Sequence, residues 1–137
     1  MTYKGILLKG DEINLNNRIY SSSLVKKINS EIKNKDTILD GPLLPGQSRK
    51  PVGKIKKTYI KNNTLYAEVD LFLKPSVEKV FCNISVMGRL QCTIEQGRVC
   101  DVVSDDSYFC SAYLDTNSSF GDDCCLKASE ETNYSIE

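Results

Sequence analysis

The strongest constraint on the fold is a strict alternation of apolar and polar side chains over residues 65–71 (Leu-Tyr-Ala-Glu-Val-Asp-Leu). A period of two residues is typical of a strand with one buried face. A second segment, residues 52–60, carries apolar residues at Val52, Ile55 and Ile60. Between the two lies Lys-Asn-Asn, and asparagine tolerates the left-handed backbone of tight turns. The sequence therefore predicts a β-hairpin at its centre.

One amphipathic helix and several further short strands surround this hairpin. The helix is predicted over about residues 23–34, because a run of three serines offers N-caps and apolar residues follow at helical spacing. Short strands are predicted at residues 3–9, 37–39, 83–86, 90–94, 99–103 and 108–114. Pro75 is expected to open a second, short helix over residues 75–81. Many short strands beside one main helix predict an α+β fold, with a mostly antiparallel, barrel-like sheet of about six or seven strands.

The charge distribution suggests a division of the chain near its end. Of the 18 basic residues 17 precede residue 101, whereas 9 of the 18 acidic residues follow residue 100. We therefore expect a domain over residues 1–115 and an acidic tail over residues 116–137, either flexible or ordered only on the basic body or a partner. No apolar run reaches the length of a membrane-spanning helix and no signal peptide is evident, which favours a cytoplasmic protein.

The chain contains six cysteines: Cys82, Cys92, Cys100, Cys110, Cys124 and Cys125. Without a secretory signal, free thiols are expected rather than disulfides. The first four sit on strand-like segments and are expected to pack as small apolar side chains. There is no Cys-x-x-Cys pair and no histidine, so neither a metal site nor a cofactor is expected.

Three short motifs occur in the order residues 51–55 (Pro-Val-Gly-Lys-Ile), 65–68 (Leu-Tyr-Ala-Glu) and 84–85 (Ile-Ser). Together they resemble the head-maturation (prohead) proteases of tailed phages, serine proteases similar to herpesvirus assemblins. Residues 14–20 (Asn-Leu-Asn-Asn-Arg-Ile-Tyr) resemble a further segment of that family, with Asn17 in place of a glycine. Asparagine is the commonest other residue at positive φ, so the turn is expected to survive. The resemblance covers about residues 3–115.

The resemblance implies a function and, at the same time, the loss of a catalytic group. Prohead proteases cleave scaffold and capsid proteins inside the immature head, and Ser85 matches their nucleophile. Their base is a histidine shortly before the Pro-Val-Gly segment, where this chain has residues 45–48 (Pro-Gly-Gln-Ser) and no histidine anywhere. Met87 also stands where one branch of the family has an arginine. A protease-like fold without its base is therefore expected.

Two hypotheses for the function follow, because a serine nucleophile needs a base within hydrogen-bond reach. The first is a non-catalytic phage head-assembly or virion structural protein. Its expected partners are capsid, portal or scaffold proteins, with self-association as a further candidate, and it would be found in the host cytoplasm, the virion or both. The alternative is a divergent head-maturation serine protease that uses Ser85 with an unrecognised base or one supplied by a partner chain.

A basic cluster precedes and enters the central hairpin: Arg49, Lys50, Lys54, Lys56 and Lys57. A Ser–Lys pair would need a buried lysine, and lysine is almost never fully buried, so we expect these side chains to be surface charges. The cluster is our candidate interaction site. Apart from Tyr59 it lacks interleaved aromatic residues, so nucleic-acid binding is the weaker hypothesis, and no membrane partner is expected.

Overall fold

The computed structural model describes residues 2–41, 48–72, 74–75 and 78–128. The elements, in chain order, are β1 (Thr2–Lys9), β2 (Arg18–Ile19), α1 (Ser22–Lys33), β3 (Ile38–Gly41), β4 (Lys50–Lys61), β5 (Thr64–Leu71), β6 (Phe81–Met87), β7 (Leu90–Glu95), β8 (Arg98–Val103), β9 (Tyr108–Asp115), a 3-10 turn (Asp122–Cys124) and β10 (Lys127–Ala128).

Seven of these strands form one curled sheet in the order β10-β1-β5-β4-β3-β9-β6. Its neighbours are antiparallel except for β3 and β9, and β1 also contacts β6, which brings the two ends of the sheet towards each other. A small second sheet has the order β2-β8-β7. The predicted α+β fold, with a mostly antiparallel, barrel-like sheet and one main helix, is confirmed.

The predicted turns are present and use the residues that favour them. Between β4 and β5, Asn62 and Asn63 have φ of 52° and 60°, as a two-residue turn of this hand requires. Asn17 has φ of 56°, so asparagine does replace glycine in the left-handed region here. Gln96 and Gly97 connect β7 to β8 with φ of 54° and 74°. These asparagine and glycine positions therefore set the register of the hairpins.

Helix α1 covers the inner face of the large sheet. Ser21 caps it, since its hydroxyl accepts a hydrogen bond from the Leu24 N–H at 3.1 Å. Its buried residues are those at the predicted helical spacing: Leu24, Val25, Ile28 and Ile32. They pack with the inward-facing residues of β3, β5 and β9 in a single core. No helix among the described residues is long and apolar enough to span a membrane.

The second helix expected at residues 75–81 is not formed by the residues that are described there. Pro75 and residues 78–80 are irregular, and Phe81 is already the first residue of β6, opposite Asp115. The carbonyl of Val80 accepts a hydrogen bond from the Leu126 N–H at 2.7 Å, so pairing with other segments replaces helical bonds. Val77, also expected on this helix, lies outside the described residues.

The cysteines are divided between the core and the surface, and all six are free thiols. Cys82 and Cys100 are buried as predicted, and burial raises the pKa of the Cys82 thiol to about 12. The prediction is wrong for Cys92 and Cys110, which are exposed on β7 and β9. Among the described residues nothing buries either side chain, so a strand position alone did not decide burial.

Residues 116–128 lie on the body of the domain. Cys124 is fully buried, and β10 pairs antiparallel with β1. Asp123 forms an ion pair with Lys9 at 2.9 Å, and Asp122 lies 3.5 Å from Lys79. The acidic end of the chain is thus attached to basic residues of the preceding part, as far as Ala128. Residues 129–137 of the expected tail lie outside the described residues.

Candidate functional site

Ser85 lies on β6, the outermost strand at one end of the large sheet, and its side chain is exposed. It stands directly opposite Ser111 of β9, which is also exposed. The register shifts immediately afterwards, so that Val86 pairs with Phe109 and the pairing skips Cys110. Within the described part of the chain the Ser85 hydroxyl makes no side-chain hydrogen bond. Its cross-strand neighbour is another hydroxyl and not a base.

The lysines of the basic cluster lie too far away to act as that base. Lys54 of β4 pairs with Ile38 of β3, and β3 lies beside β9, so three strand spacings separate Lys54 from Ser85. At ~4.8 Å for each spacing the two backbones are about 14 Å apart, beyond the reach of a lysine side chain. Lys56 and Lys57 are further along the same strand and are exposed.

The carboxylates of β5 have other partners. Asp70 accepts a hydrogen bond from the Thr2 hydroxyl at 2.9 Å. Glu68 is buried and lies 3.6 Å from the Lys57 ammonium. Of the segment expected to hold the family's base, Ser48 is exposed, whereas residues 45–47 lie outside the described residues. Among the described residues, none of these lysines and carboxylates is hydrogen-bonded to the Ser85 hydroxyl.

A polar cavity of about 200 Å3 lies beside this part of the sheet. One side is formed by the polar positions of the Asn-rich motif: Asn14, Asn16, Arg18 and Tyr20. Asn83, two residues before Ser85 on β6, and Tyr113, two residues after Ser111 on β9, also line the cavity. The Asn-rich motif and the strand positions next to Ser85, far apart in sequence, thus meet at one cavity, although Ser85 itself is not among its lining residues.

The remaining wall of the cavity was missed by the sequence analysis. It includes Asp115 at the end of β9, and Asn117, Ser119 and Phe120 from the segment assigned to the start of the tail. Asn83 donates a hydrogen bond to the Asn117 carbonyl at 3.0 Å, which ties this segment to β6. Its composition is typical of a flexible tail, and no periodicity marked it as part of a site.

Asn14 organises the motif from its centre. Its side chain is buried, and its Oδ1 accepts hydrogen bonds from the backbone N–H groups of Asn16 at 2.9 Å and Arg18 at 3.0 Å. Its amide Nδ2 donates to the Ser119 hydroxyl at 3.4 Å, and the Leu15 N–H donates to the Ser119 carbonyl at 2.8 Å. The first asparagine of the motif therefore holds both the loop and the opposing wall.

Tyr20 adds a neutral phenol to the cavity. Its ring lies 6.0 Å from that of Phe120, in a tilted arrangement. Burial raises the pKa of Tyr20 above its ordinary value, and Arg18 beside it opposes that shift in part. The phenol stays protonated at neutral pH, so it can donate and accept hydrogen bonds inside the cavity.

Two glycines, Gly53 of the Pro-Val-Gly motif and Gly88 three residues after Ser85, are required by close packing. A Cβ on Gly53 would overlap the carbonyl oxygen of Asp70 on the neighbouring strand. A Cβ on Gly88 would overlap the side chain of Ser107, which is itself buried. These contacts explain the glycines through strand packing, without an appeal to catalysis.

The basic cluster occupies one long strand and the residue before it. Its five members, Arg49, Lys50, Lys54, Lys56 and Lys57, are exposed as predicted. The Arg49 guanidinium lies 4.6 Å above the ring of Tyr113, on the strand that also carries Ser111. Lys57 lies 5.9 Å from the ring of Tyr59. The structure thus adds aromatic partners at both ends of the cluster.

Comparison with known proteins bears on the fold. No protein-family model matches the chain, and no curated protein matches it. Among solved structures, it is similar to the capsid assembly protease of bacteriophage T4, gp21, with a TM-score of 0.57 and 14% sequence identity. The similarity covers 82% of this chain and 80% of that chain. At this identity the likeness establishes the fold alone: the chain folds like a phage capsid assembly protease.

Proposed function

We propose that this chain is a phage head-assembly or virion structural protein that uses a prohead-protease-like fold without catalysis. One observation carries the proposal: the hydroxyl of Ser85, which the sequence resemblance matches to the family's nucleophile, is hydrogen-bonded to no side chain among the described residues. Serine hydroxyls are poor nucleophiles at neutral pH without a general base, whose help is worth about 10²–10⁴-fold in rate. The alternative, a divergent protease using Ser85, needs an unrecognised base or one supplied by a partner chain.

The likeness to a capsid assembly protease supports capsid, portal or scaffold proteins as partners. The surface best suited to them is the basic cluster, Arg49, Lys50, Lys54, Lys56 and Lys57. Its exposed ammonium groups would meet an acidic face of the partner, and the Arg49–Tyr113 pair adds a planar contact at one end. Single-stranded nucleic acid is less favoured, since few aromatic rings alternate with the charges.

Binding to immature heads tests this proposal. The purified chain is expected to co-sediment with proheads assembled from proteins of the same genome. Exchanging Lys54→Glu together with Lys56→Glu should weaken that binding about tenfold or more, because each exchange turns attraction into repulsion. Added salt should weaken the wild-type complex as well, since exposed charges are screened.

A matched control separates this contact from a general effect of charge. Lys26→Glu together with Lys61→Glu makes the same change in net charge at two exposed lysines outside the cluster. This variant should bind nearly as well as the wild type. The proposal would be contradicted by a wild-type chain that remains in the supernatant. It would also be contradicted if the two double variants lost prohead binding equally.

A further inference from the structure

The outer strand of the small sheet, β7, presents an uncovered hydrogen-bonding edge. In the order β2-β8-β7, its partner within the described part of the chain is β8 alone. The edge is also apolar: Leu90, Cys92 and Ile94 share one face, and Ile94 stands opposite Val99 of β8. Ile94 and Val99 are 71% and 65% exposed. Exposed apolar edges of this kind are normally blunted or covered in native proteins.

Two backbone hydrogen bonds show which β7 residues direct their polar groups outward. The Ser104 N–H donates to the Arg89 carbonyl at 2.9 Å, so Arg89 points its carbonyl towards β8. The Asp101 N–H donates to the Asn17 carbonyl, away from β7, which makes Cys92 and Asp101 a non-hydrogen-bonded pair. Because these two kinds of pair alternate, Leu90, Cys92 and Ile94 turn their backbone N–H and C=O groups to the free edge.

We propose that β7 pairs antiparallel with β7 of a second copy of this chain, about a two-fold axis that passes beside Cys92. In this register the two Cys92 residues face each other, and Leu90 of each copy lies opposite Ile94 of the other. All three outward-facing residues then find a backbone partner. Registers centred on Leu90 or on Ile94 leave part of this edge unpaired.

Charge favours the same register and a second copy as the occupant. With Cys92 at the centre, Arg89 of one copy comes opposite Glu95 of the other, and the axis repeats this pair. Arg89 already bonds its own Asp106 at 2.8 Å, and its guanidinium has further donors for a second carboxylate. The apolar face also continues across the join, since Leu90 and Ile94, both exposed in one copy, become cross-strand neighbours.

The oligomeric state of the full chain, measured by sedimentation over a range of concentrations, tests the pairing. The wild type should show a concentration-dependent dimer. Ile94→Lys should raise its dissociation constant about tenfold or more, because the axis applies the change twice and each lysine faces a leucine. Val99→Lys is the matched control: it changes an equally exposed residue of the same face, one strand in from the edge, and should leave most of the dimer. Both variants should unfold thermally like the wild type, since neither residue is buried.

Disulfide cross-linking tests the register of the β7–β7 pair directly. Residues opposite each other in a hydrogen-bonded antiparallel pair have Cα atoms about 5.5 Å apart, which is within disulfide range. Oxidation of the dimer with copper-phenanthroline and oxygen, which accept the two electrons and two protons of the thiols, should give a dimer joined through Cys92. Cys92→Ser should abolish this product, and Cys110→Ser, which removes another exposed thiol, should keep it.

The results that overturn the proposal are equally specific. They are a monomer at every concentration, a cross-link through Cys110, or a dimer that Ile94→Lys leaves intact. If Ile94→Lys and Val99→Lys weakened the dimer equally, the apolar face, and not the edge of β7, would make the contact. A complex of β7 with a different protein, formed by a chain that stays monomeric alone, would also replace this proposal.

Discussion

Gly53→Ala is expected to destabilise the protein by about 3 kcal/mol, enough to leave a marginal domain partly unfolded. Gly53 lies within β4 and pairs with Leu71 of β5. A methyl group there would overlap the carbonyl oxygen of Asp70, a backbone atom that can move only if the strands separate. Urea unfolding of the two proteins, followed by circular dichroism, measures the difference.

The control is Gly97→Asn, in the turn between β7 and β8. Gly97 has φ of 74°, which asparagine tolerates, and a Cβ at this site meets no atom within 4 Å. This substitution should change the free energy of unfolding by no more than about 1 kcal/mol. If Gly53→Ala were as mild as this control, the close approach of β4 and β5 at the Pro-Val-Gly motif would be wrong.

Asn14→Ala is expected to lower the free energy of unfolding by about 2–3 kcal/mol. The change removes the acceptor for the Asn16 and Arg18 backbone N–H groups at a buried position, and it breaks the bond to Ser119. Donors that lose their partner without gaining water cost more than an average hydrogen bond contributes. Denaturant unfolding gives the stability, and amide exchange of residues 15–20 should show where it is lost.

Asn16→Ala provides the comparison within the same loop. Asn16 is exposed, and among the described residues its side chain is not part of any hydrogen bond. We expect Asn16→Ala to change the free energy of unfolding by about 0.5 kcal/mol or less. Equal effects at the two asparagines would contradict the assignment of Asn14 as the residue that holds the motif together.

The fold was predictable where local chemistry and packing agree. The alternation over residues 65–71, preceded by Asn62 and Asn63, predicted the hairpin. It also determined the register, because a shift of one residue would move the buried side chains to the exposed face. The spacing of Leu24, Val25, Ile28 and Ile32 specified the one helix. In each case a single face had to be buried and the pattern identified that face.

Prediction failed where burial depends on contacts between distant segments. Cys92 and Cys110 have strand-like surroundings in sequence, yet their faces are uncovered, which no local pattern records. Pro75 offered a good helix start, but pairing of Phe81 with Asp115 took precedence over it.

The candidate site was predictable only in part. Ser85 and the motif at residues 14–20 were recognised separately, but the cavity that this motif shares with Asn83 and Ile84, next to Ser85, depends on strand order in space. Asn117 and Phe120 were missed because the segment around them is rich in Asn, Ser, Gly and Asp, a composition shared with disordered tails. Such a segment becomes ordered through partners, here Asn14 and Asn83, that the sequence does not reveal.

The central claim is that Ser85 lies in a protease-like fold without performing proteolysis. The most direct measurement incubates the purified chain, and its Ser85→Ala variant, with the capsid and scaffold proteins of the same genome, and follows cleavage by mass spectrometry. We predict no cleavage products in either sample, because no described side chain is hydrogen-bonded to the Ser85 hydroxyl to take its proton. Products that form with the wild type and vanish with Ser85→Ala would contradict this account and assign the chain as a head-maturation protease.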